Sequence, residues 1–301
     1  MTPAGRSLLY YVLKPFNLPM RDICHGSEGL AATYDAPGWI TDRIVCVLVR
    51  FGQQALSEPV SLGLTATMVS TATTAYAIMS VEGARTDLSL APLMILLGNI
   101  FGTGIIAPLV WLPLWAYFSK KYTSAIGTDR VVGIATGAVL GQLLPSVLPM
   151  VLHHRAHRNA LAVLQYFPVG YGLLEHSFGW LRLPQRQDAV QLLYVGLAGI
   201  NTLLFYSLVA SSLWLGIPWK SQLVHIALHG TSPGDAVSYM LIWDIVALVG
   251  TFGYWIWLET SWRGVVQLLG FSMIFGPGAG LAMSAWKRET MLETKDKQKV
   301  E

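Results

Sequence analysis

A long apolar run, Val237 to Leu258, contains one carboxylate, Asp244, in its first half. At a helical rise of about 1.5 Å per residue the run is roughly 33 Å long, which exceeds the hydrocarbon core of a bilayer at about 30 Å. The run therefore predicts a membrane-spanning helix. A carboxylate at this depth costs about 2.5 to 3.5 kcal/mol on insertion scales, so it is expected to face the interior of a helix bundle.

The residues around Asp244 allow two interpretations of its carboxyl group. One helical face carries Asp244 together with Met240, Ala247, Thr251 and Trp255, and this face would line one side of a cavity. In that case the carboxyl group takes part in chemistry. Alternatively, Asp244 forms a hydrogen bond to a neighbouring helix and only fixes helix packing.

The composition indicates a polytopic membrane protein, because hydrophobic residues make up 53 % of the chain and charged residues only 12 %. The net charge of +3 is small and the basic residues do not form a patch, so nucleic acid is not expected as a partner. Cys24 and Cys46 allow at most one disulfide. They form no Cys/His cluster, and no metal site is therefore expected.

Seven apolar segments predict an all-α transmembrane bundle. They lie at about 60–81, 88–118, 131–152, 160–180, 189–216, 237–258 and 263–284. No internal repeat is apparent. We divide the chain into an N-terminal segment (1–59), the bundle (60–286) and a charged tail (287–301) that we expect to be solvated. The N-terminal segment contains either an amphipathic surface helix or a short first span, so the bundle has seven or eight spans.

Glycines and prolines interrupt two of these spans. The segment 88–118 contains Gly102, Gly104, Pro108 and Pro113, which predicts a break near mid-membrane where freed backbone carbonyls need partners. The last span contains the segment Gly276-Pro277-Gly278. It is either a kink that borders a cavity or a break that neighbouring helices tolerate.

Several polar residues within the predicted spans could meet Asp244. Gln165 is expected at a similar depth and is the preferred partner, with Asn99 as a second supporting residue. Glu175 would lie about 12 Å deeper, too far for a pair of carboxylates, and is assigned to the substrate pocket. Glu259 is expected at the water boundary, about 22 Å from Asp244.

The motifs that are missing narrow the chemistry. No Asp-rich cluster is present that could hold magnesium against a diphosphate, and no metalloprotease or nucleophile-elbow motif occurs. What remains is one buried acid among aromatic side chains. A carboxyl group in apolar surroundings can stay protonated and donate its proton, and aromatic faces can stabilise a cation. This combination suits proton-initiated cyclisation of a lipophilic polyene or its epoxide.

The chain also resembles a known family over roughly residues 90–290. The resemblance rests on the motifs Phe101-Gly102-Thr103-Gly104, Ala107-Pro108-Leu109, Gly141-Gln142-Leu143-Leu144-Pro145, Leu164-Gln165-Tyr166-Phe167-Pro168, Ile242-Trp243-Asp244, Phe275-Gly276-Pro277-Gly278-Ala279 and Trp286-Lys287-Arg288-Glu289. In this order they resemble the small fungal integral-membrane terpene cyclases of meroterpenoid biosynthesis, of the ascochlorin and ascofuranone type.

This resemblance implies an isomerase- or lyase-type enzyme of secondary metabolism in the endoplasmic reticulum. Such an enzyme protonates an epoxide or an olefin on a farnesyl-type chain without a metal or redox cofactor. The resemblance carries an acidic catalytic role onto Asp244 and a supporting role onto Gln165.

The leading hypothesis is therefore a membrane cyclase that acts on a lipophilic prenylated substrate. Asp244 would donate the proton, Gln165 and Asn99 would orient it, and aromatic side chains would line the pocket. The lining residues are Trp111, Tyr239, Trp243 and Trp255. A small-molecule transporter with Asp244 as its proton-coupling site is the alternative, although few spans and no visible repeat argue against it. A lipid-binding scaffold is a third possibility. No feature sets the oligomeric state.

Overall fold

The computed structural model describes residues 48–49, 51–86, 90–119, 126–151, 161, 165–178, 181, 183–186, 188–229 and 236–300. Within these residues every regular element from Pro59 onwards is helical, in agreement with the predicted all-α class. We number the helices α1 (Pro59–Arg85), α2 (Ala91–Phe101), α3 (Thr103–Phe118), α4 (Thr128–Met150), α5 (Phe167–Ser177), α6 (Ala189–Trp214), α7 (Trp219–His229), α8 (Ala236–Glu259), α9 (Trp262–Phe275) and α10 (Pro277–Val300).

Three of these helices are long and apolar enough to cross a membrane, namely α4, α6 and α8. They correspond to the predicted spans 131–152, 189–216 and 237–258. The predicted count of seven spans is not confirmed. In α6 only 22 % of the most apolar window is buried, and side chains such as Leu203 and Leu213 are largely exposed. Apolar surface of this extent is compatible with a membrane protein.

The chain divides into two compact units. The first comprises residues 1–65, 148–165 and 212–243, and the second comprises 66–147, 166–211 and 244–301. In the first unit Ser61 of α1 and Ser238 of α8 share a buried hydrogen bond of 2.6 Å. The amphipathic helix or short span expected within 1–59 lies largely outside the described residues. The candidate site belongs to the second unit.

The break predicted within 88–118 is present, and it separates α2 from α3. Gly102 between them has φ of 94°, a conformation that side chains rarely adopt. Leu90 beside the start of α2 and Phe118 at the end of α3 line the same cavity, whereas one continuous helix would hold them about 40 Å apart. The segment is therefore a helical hairpin, which we call hairpin 1, and the prediction of one span is wrong.

The segment predicted as the last span, 263–284, is also a helical hairpin. Gly276 between α9 and α10 has φ of 90°. A Cβ atom on Gly280 would lie 2.7 Å from the backbone nitrogen of Ser272, so α10 packs back along α9. Further from the turn, Lys287 donates a hydrogen bond of 2.6 Å to Gln267. We call α9 and α10 hairpin 2. With 14 residues, α9 is roughly 21 Å long and too short to cross a bilayer.

Glycines also allow α4 and α5 to approach closely in the second unit. A Cβ atom on Gly141 would lie 2.7 Å from Cα of Tyr171, and one on Gly137 would lie 3.1 Å from its carbonyl oxygen. Small residues four apart are typical of close packing between membrane helices. Because α5 begins only at Phe167 and Gln165 lies in a turn, the predicted span 160–180 is not one continuous helix.

Candidate functional site

The carboxylate of Asp244 binds the start of the second arm of hairpin 1. Its Oδ1 atom accepts a hydrogen bond of 2.6 Å from the backbone N–H of Gly104, the second residue of α3. The first four N–H groups of a helix have no partner within the helix, and negative charge at this end is favourable. Asp244 therefore caps the broken helix. The backbone group that Asp244 binds at this break is an amide, and the expectation that freed carbonyls find partners there stays a prediction.

Asp244 and Gly104 are in close contact. A Cβ atom on Gly104 would lie 2.5 Å from the carbonyl oxygen of Asp244 and 2.9 Å from its Cα. Next to this contact, the hydroxyls of Tyr76 and Thr103 share a hydrogen bond of 2.5 Å, and both residues are buried. Asp244 thus lies half-buried beside a small polar group at the tip of hairpin 1.

The two residues predicted to support Asp244 lie in different parts of the chain. Gln165 belongs to the first unit, where its side-chain amide donates a hydrogen bond of 3.0 Å to the carbonyl of Leu161. Asn99 is half-buried on α2, close to the tip of hairpin 1. The pairing of either residue with Asp244 stays a prediction.

Two of the four aromatic residues assigned to the pocket come together in the second unit. Trp111 packs against Phe252 at 4.9 Å between ring centroids and against Trp255 at 6.2 Å. Trp115 joins this group and lies 6.3 Å from both indoles. We call these four rings the aromatic cluster; only Trp111 and Trp255 were singled out from the sequence.

The other two aromatic residues, Tyr239 and Trp243, belong to the first unit. Their rings contact each other at 6.2 Å, and the Trp243 side chain is half exposed. Their assignment to the substrate pocket stays a prediction.

A small cavity lies between the arms of hairpin 1 and α1. Its volume is about 40 Å³, which is room for a few water molecules. Glu82, Trp111, Trp115, Met79 and Met94 are among the residues that line it. Of the predicted pocket residues, only Trp111 does so. The cavity is too small for a prenyl chain as it stands.

A larger apolar groove of about 710 Å³ runs along the surface between α8 and α9. Val246, Gly250, Trp257, Trp262 and Leu269 are among its lining residues. Asp244 is not part of this groove.

The second unit also contains a group of buried charges that sequence reasoning missed. We call it the charge cluster; it consists of Glu82, Arg85, Glu259, Arg288 and Glu289. Both oxygens of Glu82 accept hydrogen bonds from Arg288, at 2.9 and 3.2 Å. Arg85 donates to Glu82 at 2.9 Å and also to Glu289. The cluster joins the end of α1 to the second arm of hairpin 2.

Two neighbouring indoles complete the surroundings of the charge cluster. The Nε1 atom of Trp115 donates a hydrogen bond of 3.0 Å to Glu82. The guanidinium carbon of Arg288 lies 4.8 Å from the ring centroid of Trp255, close enough for a cation–π interaction. The charge cluster and the aromatic cluster are therefore in direct contact.

The charge cluster corrects one expectation and identifies a partner for Glu259. Arg288 and Glu289 belong to the tail that was expected to be solvated, yet they are only 2 % and 7 % exposed. Glu259, expected at the water boundary, has a side chain 21 % exposed and accepts a hydrogen bond of 2.9 Å from Arg288. The spacing of Glu82 and Arg85, one helical turn apart at the end of an apolar helix, is the local signal that could have indicated a buried pair.

Glu175, assigned to the substrate pocket, lies on α5 and is 1 % exposed. Its Oε1 atom accepts a hydrogen bond of 2.7 Å from Arg130 of α4. This ion pair accounts for the burial of Glu175, and a role in substrate binding stays a prediction.

The fold and these contacts define a class: a helical protein, compatible with a membrane, in which two glycine-tipped hairpins pack beside a half-buried acid and a buried charge cluster. No protein-family profile matches the chain, and no curated protein or solved structure is significantly similar to it. Among the described residues, no group of three or more His, Cys, Asp or Glu side chains could hold a metal ion.

Proposed function

We propose that this chain is an integral-membrane terpene cyclase of the endoplasmic reticulum. In the proposed reaction it cyclises the prenyl chain of a meroterpenoid intermediate by proton transfer, without a metal. One observation carries the proposal: the second unit holds a carboxyl group bound by a backbone amide, Asp244, together with a buried cluster of four aromatic rings. The sequence resemblance to fungal membrane cyclases supports the same reaction. The substrate is a farnesyl-type chain that carries a terminal epoxide.

In the proposed reaction Asp244, in its acid form, donates a proton to the epoxide oxygen. The C–O bond at the more substituted carbon breaks, and the π electrons of the nearest double bond form the new C–C bond. The positive charge moves along the chain as further rings close, until a base removes a proton to give an alkene. The product is an isomer of the substrate, so no oxidant or reductant is needed.

The aromatic cluster has the properties that such a cation requires. Trp255 is fully buried and Trp111 nearly so, and their π faces can stabilise positive charge where water is excluded. Trp111 lines the cavity between the arms of hairpin 1. Because that cavity holds only about 40 Å³, substrate entry requires the arms to separate.

Asp244 suits the role of the acid better than the carboxylates of the charge cluster. Glu82 accepts hydrogen bonds from two guanidiniums and one indole, and each of these contacts favours its ionised form. The hydrogen bond to Asp244 comes from the neutral amide of Gly104. Asp244 can therefore change its protonation state at a smaller cost in lost interactions.

The test is product analysis by chromatography and mass spectrometry. Microsomes that contain the wild type or Asp244→Asn are incubated with an epoxidised farnesyl-aryl substrate and EDTA. We expect a cyclic isomer from the wild type and a loss of about 10²- to 10⁴-fold in the variant, the usual contribution of a general acid. Asp188→Asn, which removes an exposed acid, serves as the matched control and should retain activity. Size-exclusion profiles confirm that equal amounts of folded protein are compared.

Equal product from the wild type and Asp244→Asn would remove Asp244 from the mechanism. Absence of product from the wild type, across several chain lengths, would reject the cyclase.

The hairpins favour a second candidate, a small-molecule transporter with Asp244 as its proton-coupling site. Secondary transporters place broken helices at their binding sites, and both hairpins turn at a glycine within an apolar segment. The two candidates separate in one comparison. A cyclase acts in detergent without a gradient, whereas a transporter moves its substrate only between two compartments and responds to a pH gradient across proteoliposomes.

A further inference from the structure

The tips of the two hairpins have the same local sequence and backbone geometry. Residues 100–104 and 274–278 both read Ile-Phe-Gly-x-Gly. Gly102 and Gly276 have φ of 94° and 90°. Each donates its N–H to the carbonyl four residues earlier, at 2.9 and 3.0 Å. Each also accepts a hydrogen bond from the N–H four residues later, that of Ile106 or Gly280.

The similarity extends to the helices before the tips. Each hairpin follows a long helix, α1 for hairpin 1 and α8 for hairpin 2. A shift of 174 in residue number converts Gly102 into Gly276, and the same shift converts Arg85, the last residue of α1, into Glu259, the last residue of α8. The two segments thus have the same order of elements and the same spacing from the end of the long helix to the tip.

The strongest observation is that the tips make reciprocal contacts. A Cβ atom on Gly104 would meet Asp244, at 2.5 Å from its carbonyl oxygen and 2.6 Å from Oδ1. A Cβ atom on Gly278 would meet Ser70, at 2.9 Å from its carbonyl oxygen and 2.5 Å from Oγ. The shift of 174 converts Gly104 into Gly278 and also Ser70 into Asp244. Each hairpin tip therefore contacts the long helix of the other segment at the equivalent residue, as in a two-fold symmetric interface.

The two long helices run in the same direction within this arrangement. Going along α1, the tip contact at Ser70 comes first and Arg85 of the charge cluster comes last. Going along α8, the tip contact at Asp244 comes first and Glu259 of the charge cluster comes last. The relation is therefore that of parallel repeats about an axis along the helices, as in one class of membrane proteins built from repeats.

We propose that the second unit contains two copies of one element, a long helix followed by a glycine-tipped hairpin. Ser70 and Asp244 are the equivalent residues that contact the hairpin tips, and the carboxylate of Asp244 is the difference between the copies that serves function. The copies share few residues outside the tip motif, so no repeat is apparent from the sequence. The duplication is independent of the proposed function, whereas the role of Asp244 as the acid rests on the proposed function.

Uncharged groups form the hydrogen bonds next to the contact between Ser70 and Gly278. Thr74, one turn further along α1, donates a hydrogen bond of 3.1 Å to the carbonyl of Gly278 and accepts one of 2.7 Å from Asn201. This contact shows that a serine at the equivalent position is sufficient for hairpin packing. We therefore expect that hairpin packing at position 244 does not require a carboxylate.

The experiment exchanges the two residues. Asp244→Ser gives both tip contacts the same residue, and the double variant Ser70→Asp/Asp244→Ser moves the carboxylate to the other tip, where the N–H of Gly278 is in the first turn of α10 and can bind it. Apparent melting temperature in detergent and product formation are measured for both variants and the wild type. Asp188→Ser is the control for loss of an acid.

We expect Asp244→Ser to fold, to melt about 2 to 8 °C below the wild type and to form no product. The double variant should regain most of that loss in melting temperature and still form no product, because the acid is at the wrong tip. A double variant that melts below Asp244→Ser, or an Asp244→Ser protein that does not fold, would overturn the duplication.

Product formation by Asp244→Ser at the wild-type level would overturn the assignment of Asp244. A wild type without product would reject the proposed function, and the melting temperatures would still decide the duplication.

Discussion

The charge cluster and the contact between Asp244 and Gly104 hold carboxylates in the same unit in two different ways. In the charge cluster, Glu82 is surrounded by Arg85, Arg288 and the indole of Trp115. Asp244 accepts its hydrogen bond from a backbone amide. A carboxylate that accepts hydrogen bonds from two guanidiniums stays ionised and links helices. A carboxylate that accepts its hydrogen bond from an amide can gain or lose a proton. The first arrangement stabilises the packing of the helices, whereas the second is the one to which we assign the proposed proton transfer.

The largest expected effect follows from removal of a guanidinium from the charge cluster. Arg288→Met leaves three carboxylates facing one guanidinium, and breaking a buried ion pair in this way costs about 3 to 5 kcal/mol. We expect little folded protein, measured as the monodisperse fraction after size-exclusion chromatography. Lys287→Met, at an exposed neighbouring position, is the control. A normal yield of Arg288→Met would show that the cluster does not hold the unit together.

A smaller effect is expected at the tip of hairpin 1. Gly104→Ala places a methyl group within 2.5 to 2.9 Å of Asp244, and overpacking of this kind costs about 1 to 3 kcal/mol. The apparent melting temperature should fall, and product formation should fall with it because the carboxylate moves. Gly250→Ala is the matched control, since no atom lies within 4 Å of its added Cβ and alanine favours a helix. Equal melting temperatures for the two variants would contradict the close contact.

The smallest effect is expected where an ion pair is exposed. Arg186 donates hydrogen bonds of 3.0 and 2.8 Å to Asp188, and these lower the pKa of the Asp188 carboxyl. A lowered pKa contributes stability above the ordinary pKa of aspartate, about 3.9, which is lost as the pH falls through the lowered value. At pH 7 we expect no measurable change in melting temperature for Asp188→Asn, because exposed pairs contribute little. A clearly lower melting temperature of Asp188→Asn at pH 7 would mean that exposed ion pairs also stabilise this protein.

Sequence patterns predicted the local features of this protein well. Apolar runs of sufficient length predicted α4, α6 and α8, because a helix must satisfy its own backbone hydrogen bonds when its surroundings are apolar. Glycine and proline residues predicted the helix breaks at Gly102 and Gly276. The inward position of Asp244 followed from the cost of placing a charge in lipid. Each of these conclusions depends on a few consecutive residues and on no distant one.

Other features depended on which distant segments meet. A break can bend a helix or reverse it, and only packing against α1 and α8 decided that both segments fold back as hairpins. Charges at the ends of helices are usually solvated, so Glu82 and Arg288 could be recognised as partners only once α1 and α10 were side by side. By itself, the sequence determined three long apolar helices, the two breaks at glycine and the inward position of Asp244, since these follow from local backbone chemistry and the cost of burying charge. The tertiary structure alone decided the reciprocal contacts of the hairpin tips and the charge cluster, because both arise from contacts between residues far apart in the chain.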